Sequence, residues 1–236
     1  NNKFDPNLLN ELNNSNKILI SIPPIEGHDI VLKTFHKVFT ESKFDWITYL
    51  SATSIYGNAN GEWVDENKNP NPTSSRGISR LNAEKAWLEY FKNYKIPLQI
   101  FRLAGIYSNE NNVLQRLKLG TQNIIEKKNH YFSRIHVEDI AAILFVSLKK
   151  FSSGEVFNIS DDYPSSNVEL VKYAASLIKM PIPQSISVDQ IQNEMLKDFY
   201  KDSKRVKNEK MKNFFGYNLK YPTFKEGLKF IKNHKI

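Results

Sequence analysis

Apolar runs alternate with segments of helical periodicity over the first two thirds of the chain. Four short apolar runs predict buried β-strands, at residues 17–22, 44–51, 98–103 and 156–159. Between them, apolar residues at helical spacing predict helices over 30–42, from a cap at Thr73 or Ser74 to about Tyr90, and over 137–149. Because the strands are apolar on both faces, the pattern predicts an α/β fold with a mostly parallel sheet and helices on both faces.

The pattern changes after about residue 160. Helical stretches follow near residues 167–179, 188–199, 204–215 and 223–233, with few strand signals between them. We therefore expect an α/β domain over residues 1–160 and a smaller, helix-rich part over residues 161–236.

The composition is that of a globular protein, with 40% hydrophobic and 25% charged residues. The longest apolar stretch, residues 140–148, is too short to cross a bilayer, and no secretory leader is visible. The chain has no cysteine, which excludes disulfides, thiolate zinc sites and a cysteine nucleophile. No group of His, Asp and Glu has metal-ligand spacing. We expect a cytoplasmic protein with no membrane segment and no metal.

The formal net charge of +8 raises the question of an anionic partner. Lysines are spread along the whole chain, and the densest cluster runs from Lys201 to Lys212. A nucleic-acid binder would pair such charge with an aromatic stacking platform or a recognition helix. Neither accompanies the cluster, so nucleic acid is the weakest of the candidate partners.

Polar loops follow three of the predicted strands, at residues 21–24, 51–57 and 102–107. Ser, Thr and Gly often do no more than end a strand. Ligands of open parallel sheets, however, bind beyond the carboxyl ends of the strands. Three such loops in order along the chain favour a binding site at this edge.

Several segments resemble the extended short-chain dehydrogenases, the NAD(P)-dependent epimerase/dehydratase family. The matching segments, in the family's order, are residues 50–57 (LSATSIYG), 75–84 (SRGISRLNAE), 101–107 (FRLAGIY), 134–141 (RIHVEDIA) and 157–160 (FNIS). The resemblance implies a Rossmann-like fold, NAD or NADP as cofactor, a nucleotide-linked sugar or related substrate, and room for a homodimer.

The resemblance also assigns roles to particular residues. It implies cofactor contacts from Ser21, Pro23, Ser51, Arg80, Leu103, Ala104 and Gly105, and substrate contacts from Arg76, Arg134 and His136. For catalysis it leaves Thr53 and Tyr56, each of which could equally be a strand-ending or packing residue. His136 could titrate near neutrality, or be a buried residue that orients the helix start with Asp139.

The first departure from the family is the missing glycine loop. The family's first strand ends in a Gly-x-Gly-x-x-Gly turn that lets the backbone approach a pyrophosphate. No two of the nine glycines here are two positions apart. The first visible strand matches the family's fourth, and the chain begins with Asn1 rather than Met. We therefore expect on the order of 50 residues, a βαβ unit of ~30 residues plus a strand, to precede this sequence.

The second departure is chemical. Alignment places Arg76 where the family has its catalytic tyrosine, Arg80 at the lysine, and Ala52 at the usual hydroxyl. Arginine stays protonated in proteins, so Arg76 cannot be a general base. Arg76 and Arg80 are four residues apart on one helix face, where they could clamp a phosphate or lie solvated. The sequence thus leaves an epimerase, dehydratase or reductase, a non-catalytic sensor of NAD(P) or a sugar nucleotide, and a basic nucleic-acid binder.

Overall fold

The computed structural model describes Asp5 and residues 7–235 of the chain. Its strands are β1 (Lys17–Ile20), β2 (Trp46–Ala52), β3 (Trp63–Val64), β4 (Leu98–Leu103), β5 (Gly105–Tyr107), β6 (Ile124–Glu126), β7 (Arg134–His136), β8 (Val156–Ile159), β9 (Ser185–Ser187) and β10 (Arg205–Val206). Its α-helices are α1 (Asn7–Asn13), α2 (Ile30–Glu41), α3 (Ser75–Tyr94), α4 (Val113–Lys118), α5 (Val137–Ser147), α6 (Asn167–Leu177), α7 (Glu194–Phe199), α8 (Glu209–Phe215) and α9 (Phe224–Lys235).

The main sheet is parallel, with its described strands in the order β1–β2–β4–β8. These are the four strands that the apolar runs predict, and the bounds of β4 and β8 agree with the prediction to the residue. Strand β1 ends at Ile20, two residues earlier than predicted, where its pairing with β2 stops. The predicted α/β fold is confirmed.

Helices cover both faces of this sheet. On one face, α2 and α3 pack over inward side chains such as Tyr49 and Ile100. On the other face, α5 and α8 pack over Phe101 and Phe157. Since successive side chains of a strand point to opposite faces, Ile100 and Phe101 belong to different layers of the core. None of the described helices is both long enough and apolar enough to pass through a lipid bilayer.

The C-terminal part contains strands that the sequence does not predict. The predicted helix over 188–199 is wrong in its first half, because residues 188–193 form only a short 3-10 turn before α7, and β9 precedes that turn. The predicted helix over 204–215 is likewise replaced at its start by β10, which pairs in parallel with β3. Helix α8 packs on the main sheet rather than on the C-terminal helices. The division of the chain at residue 160 therefore stays a prediction.

Helix α3 begins at a capping serine, which is one of the two predicted caps. The Ser74 hydroxyl accepts a hydrogen bond from the Gly77 amide at 3.1 Å. Thr73, the other candidate, instead donates to Asp202 at 2.5 Å. Ser74→Ala should lower the free energy of unfolding by about 1 kcal/mol, because it leaves that amide without its acceptor. Urea denaturation tests this, with Ser75→Ala as the control; an equal loss in both variants would contradict the cap.

Candidate active site

A pocket of about 800 Å³ opens at the carboxyl ends of β2 and β4. We call it the strand-end pocket. The residues after β2 contribute Thr53 and Ser54, and Leu103, Ala104 and Gly105 form the wall at the end of β4. The first turn of α3 adds Ser75 and Arg76. The sequence-predicted residues Thr53, Arg76 and 103–105 are thus brought together at this edge.

A second pocket of about 1070 Å³ lies beside the first. We call it the arginine pocket, because Arg116 and Arg134 both line it. The two pockets share wall residues, which are Gly105, Phe132, Asn193, Leu196 and Phe199. An elongated ligand could therefore occupy both pockets at once.

Arg134 is a buried cation with unused hydrogen-bonding capacity. Its side chain is only 6% exposed, and its guanidinium lies 4.0 Å from the centre of the Phe132 ring. One terminal nitrogen donates to the Ser165 hydroxyl at 2.8 Å, while Nη2 has no hydrogen-bond partner among the described residues. Burial lowers the pKa of Arg134 to about 10, so the group is still charged at neutral pH.

Arg116 adds a second guanidinium to the same pocket, which Tyr107 also lines with its hydroxyl packed against Gly227. Arg116 is held by the side chains of Gln122, at 2.9 Å, and Asn111, at 3.2 Å. The Tyr107 hydroxyl has no hydrogen-bond partner among the described residues, and burial raises the pKa of this phenol, which therefore keeps its proton. Sequence reasoning did not find Arg116, because no motif surrounds it and its helix neighbours Val113 and Leu117 are core residues.

Tyr56 and Ser51 lie beneath the strand-end pocket rather than in its wall. The Tyr56 hydroxyl donates to Asn158 and accepts from Arg102, both at 2.8 Å. Burial raises the pKa of Tyr56 to about 12, which makes it a poor acid or base near neutrality. The Ser51 hydroxyl donates to Glu84 at 2.7 Å, so it too is engaged within the core.

Arg80 does not join Arg76 in the strand-end pocket. Its guanidinium donates to the Leu50 carbonyl at 2.9 Å and to the Tyr49 hydroxyl at 3.2 Å. These acceptors on β2 turn the Arg80 side chain toward the sheet, although it shares a helix face with Arg76. The phosphate clamp considered from the sequence is therefore not formed in this structure.

His136 is buried and lines neither pocket. Its Nδ1 accepts the Glu138 amide at 3.2 Å and so caps α5, and burial lowers its pKa. Neighbouring Asp139 accepts from the Tyr217 hydroxyl and from the backbone of Lys220. This geometry agrees with the second interpretation of His136, a buried residue that orients the start of a helix together with Asp139. Ser21 and Pro23 lie exposed after β1, outside both pockets.

The lysine cluster from Lys201 to Lys212 is largely neutralised by carboxylates. Each of its lysines forms an ion pair: Lys201 with Asp198, Lys204 with Asp202, Lys207 with Asp65, Lys210 with Glu155, and Lys212 with Asp162. Such pairing reduces the positive field that a polyanion would need. It supports the sequence argument against nucleic acid.

Comparison with known proteins identifies curated relatives. A dTDP-D-glucose 4,6-dehydratase of Homo sapiens is 26% identical over 220 residues, which cover 87% of this chain and 59% of that protein. One from Dictyostelium discoideum is 27% identical over 145 residues, which cover 52% of this chain and 33% of that protein. The chain therefore spans less than two thirds of the length of these relatives.

Solved structures give the same fold. A functionally unknown conserved protein from Silicibacter pomeroyi is 37% identical with a TM-score of 0.85, covering 92% of this chain and 76% of that chain. A UDP-glucuronic acid 4-epimerase from Bacillus cereus, solved in complex with NAD, has a TM-score of 0.76 at 18% identity. It covers 98% of this chain and 78% of that chain, and at this identity the likeness concerns the fold alone.

The family resemblance predicted from the sequence is confirmed by a family-wide comparison. The sequence model of the NAD dependent epimerase/dehydratase family matches residues 31–160, more than half of the chain. The matched region includes three strands of the parallel sheet, β2, β4 and β8, and most of the residues that line the strand-end pocket described above. The chain belongs to the NAD-dependent epimerase/dehydratase family.

Proposed function

We propose that this chain forms the substrate-binding side of an NAD(P)-dependent epimerase/dehydratase-like protein that acts on a nucleotide-linked sugar. The arginine pocket holds the diphosphate, and the strand-end pocket holds the sugar. The observation that carries the proposal is Arg134, a buried residue that lines the arginine pocket and whose guanidinium Nη2 has no hydrogen-bond partner among the described residues.

The chemistry of the arginine pocket suits a diphosphate. Guanidinium groups bind phosphate oxygens through parallel N–H donors. Arg134 and Arg116 supply these groups. Burial raises the pKa of the Asp161 carboxyl, so this group opposes the charge of Arg134 less than a solvated carboxylate would.

The proposed NAD or NADP site uses some of the predicted cofactor contacts and not others. Leu103, Ala104 and Gly105, at the end of β4, would contact the cofactor, whereas Ser21 and Pro23 follow β1, which pairs with β2 and not with β4. Arg80, predicted to contact the cofactor, is engaged by Leu50 and Tyr49 instead. When bound, the cofactor supplies hydride transfer. Thr53, in the pocket wall, would hold a substrate oxygen beside it.

A non-catalytic sensor is the second candidate, and the residues found at the family's catalytic positions favour it. Arg76 stands at the tyrosine position, and Tyr56 is locked in a buried network. A turnover assay on dTDP-glucose and UDP-glucuronic acid with NAD+ and NADP+ separates the two candidates. An enzyme forms a product, and Thr53→Ala lowers the amount of that product, whereas a sensor binds the nucleotide sugar and forms no product.

A homodimer and a cytoplasmic location remain further proposals.

Arg134→Met should weaken binding of dTDP-glucose or UDP-glucuronic acid to this chain by roughly tenfold to a hundredfold. The reason is that a charged hydrogen bond contributes about 1.5–3 kcal/mol. Isothermal titration calorimetry measures the affinities. Arg205→Met is the control, because it removes the same charge from a residue that lines neither pocket. Failure of the unaltered chain to bind any nucleotide sugar, or equal effects in both variants, would overturn the proposal.

A further inference from the structure

The structure places Lys204, a residue from the C-terminal part, in the wall of the strand-end pocket. The backbone around it is fixed from two sides. The Lys204 amide donates to the Tyr131 carbonyl at 3.1 Å, and the next amide, of Arg205, donates to the Glu62 carbonyl at 3.0 Å. The Ser203 hydroxyl donates to Asn129 at 2.9 Å. Lys204 therefore enters the pocket from a well-held position.

The Lys204 ammonium is buried and only partly satisfied. The residue is 9% exposed, and its Nζ donates to the Gly57 carbonyl at 3.0 Å. Asp202 lies 3.6 Å away, beyond the usual length of a hydrogen bond, and also accepts from Thr73. An ammonium has three donors, so the Lys204 ammonium, after its hydrogen bond to Gly57, still has N–H groups for a ligand in the pocket.

The acceptor that orients Lys204 is itself fixed. Gly57 has φ of +65°, and a β-carbon there would lie 1.8 Å from the Asn71 carbonyl oxygen. This close approach pins the loop after β2 against the segment that leads into α3. The Gly57 carbonyl, and with it the Lys204 ammonium, therefore keeps one position relative to Thr53 and Arg76, which line the same pocket.

We propose that Lys204 is a ligand-contacting residue that donates a hydrogen bond to an oxygen on the sugar end of the ligand. The inference rests on the proposed function, which places the sugar in the strand-end pocket. Arg80, at the family's lysine position, is turned toward β2, and Arg76 is exposed. Lys204 thus supplies the buried cation of this pocket from a different part of the chain.

The proposal predicts a selective effect on the sugar, which a purely structural lysine would not have. Lys204→Met should reduce the affinity for dTDP-glucose relative to dTDP by about tenfold or more, the size expected for a lost charged hydrogen bond. UDP-glucuronic acid and UDP form a second pair of probes. The affinity for the bare nucleotide reports that the arginine pocket is still folded. Lys207→Met is the control, because Lys207 is a half-buried lysine of the same segment that lines neither pocket.

Calorimetric titration of the full 236-residue chain, its variants and these four ligands tests the proposal. A selective loss in Lys204→Met, absent from Lys207→Met, supports it. An unchanged ratio of nucleotide-sugar to nucleotide affinity in Lys204→Met overturns it and leaves the proposed function intact. If the unaltered chain binds no nucleotide sugar, both proposals fall. If Lys204→Met does not fold, the same ratio of affinities is measured for Lys204→Gln, which keeps a hydrogen-bond donor but carries no charge.

Discussion

Replacing Glu84 by alanine should lower the free energy of unfolding by about 3–5 kcal/mol, the cost of breaking a buried ion pair by removing one partner. Glu84 is 1% exposed and pairs with Arg102, which is 5% exposed, at 2.5 Å. Without the carboxylate, the Arg102 guanidinium keeps its charge in the core and Ser51 loses its acceptor. Urea denaturation followed by circular dichroism measures the loss.

Two further variants identify the cause. Glu89→Ala on the same helix removes an exposed carboxylate and should change stability by less than about 0.5 kcal/mol. The double variant Glu84→Leu/Arg102→Met should recover much of the loss, because apolar groups of similar volume often replace a buried pair at little cost. A double variant as unstable as Glu84→Ala would show that the loss comes from packing and not from the unpaired charge.

Acidification should destabilise the protein through His130 by about 3 kcal/mol between pH 6.5 and pH 4. His130 is 3% exposed and stacks on Tyr200 at 4.9 Å. Burial, with help from nearby Lys127, lowers its pKa from 6.5 to about 4. Because the unfolded chain binds the proton at higher pH than the folded chain, this stability is fully present above pH 6.5 and is lost as the pH falls toward 4.

The measurement is the free energy of unfolding across this pH range for the unaltered protein and for His130→Phe. The phenyl ring keeps the stack on Tyr200 but takes up no proton. The acid-induced loss of unfolding free energy should therefore be smaller by the contribution of His130. Replacement of the exposed His28 by leucine removes an imidazole elsewhere and serves as the control. Parallel curves for His130→Phe and the unaltered protein would refute the assignment.

The sequence predicted the parts of the fold that depend on local pattern. Strand β4 is buried at every position, and four of its six residues are apolar, a pattern that is visible without knowledge of its neighbours. Strands β3 and β10 are two residues each, and their pairing joins distant parts of the chain, so no local pattern marks them. Apolar spacing over 188–199 resembled one helix, but Ile191 packs with Ile125 and Tyr200 in a separate cluster.

The site was predictable in its location and less so in its side chains. Motif positions placed Thr53 and Arg76 at the strand ends, where both line the pocket. The direction of Arg80 depended on acceptors at Leu50 and Tyr49 of β2, which spacing along a helix does not reveal. Arg116 and Lys204 belong to no motif that carries a role, and only the folded chain brings them to the pockets.

The hydrogen bond between Lys204 and Gly57 joins residues 147 positions apart, so the strand-end pocket is completed by a segment that lies far along the chain from the strand end it covers. Contacts of such separation carry a large loop-closure cost and form late. The last described strand of the parallel sheet ends at Ile159, but α8, which follows β10, covers one face of that sheet. A chain cleaved between α7 and β10 would therefore lose Lys204 from the pocket wall and α8 from the core together, which couples ligand recognition to the stability of the sheet.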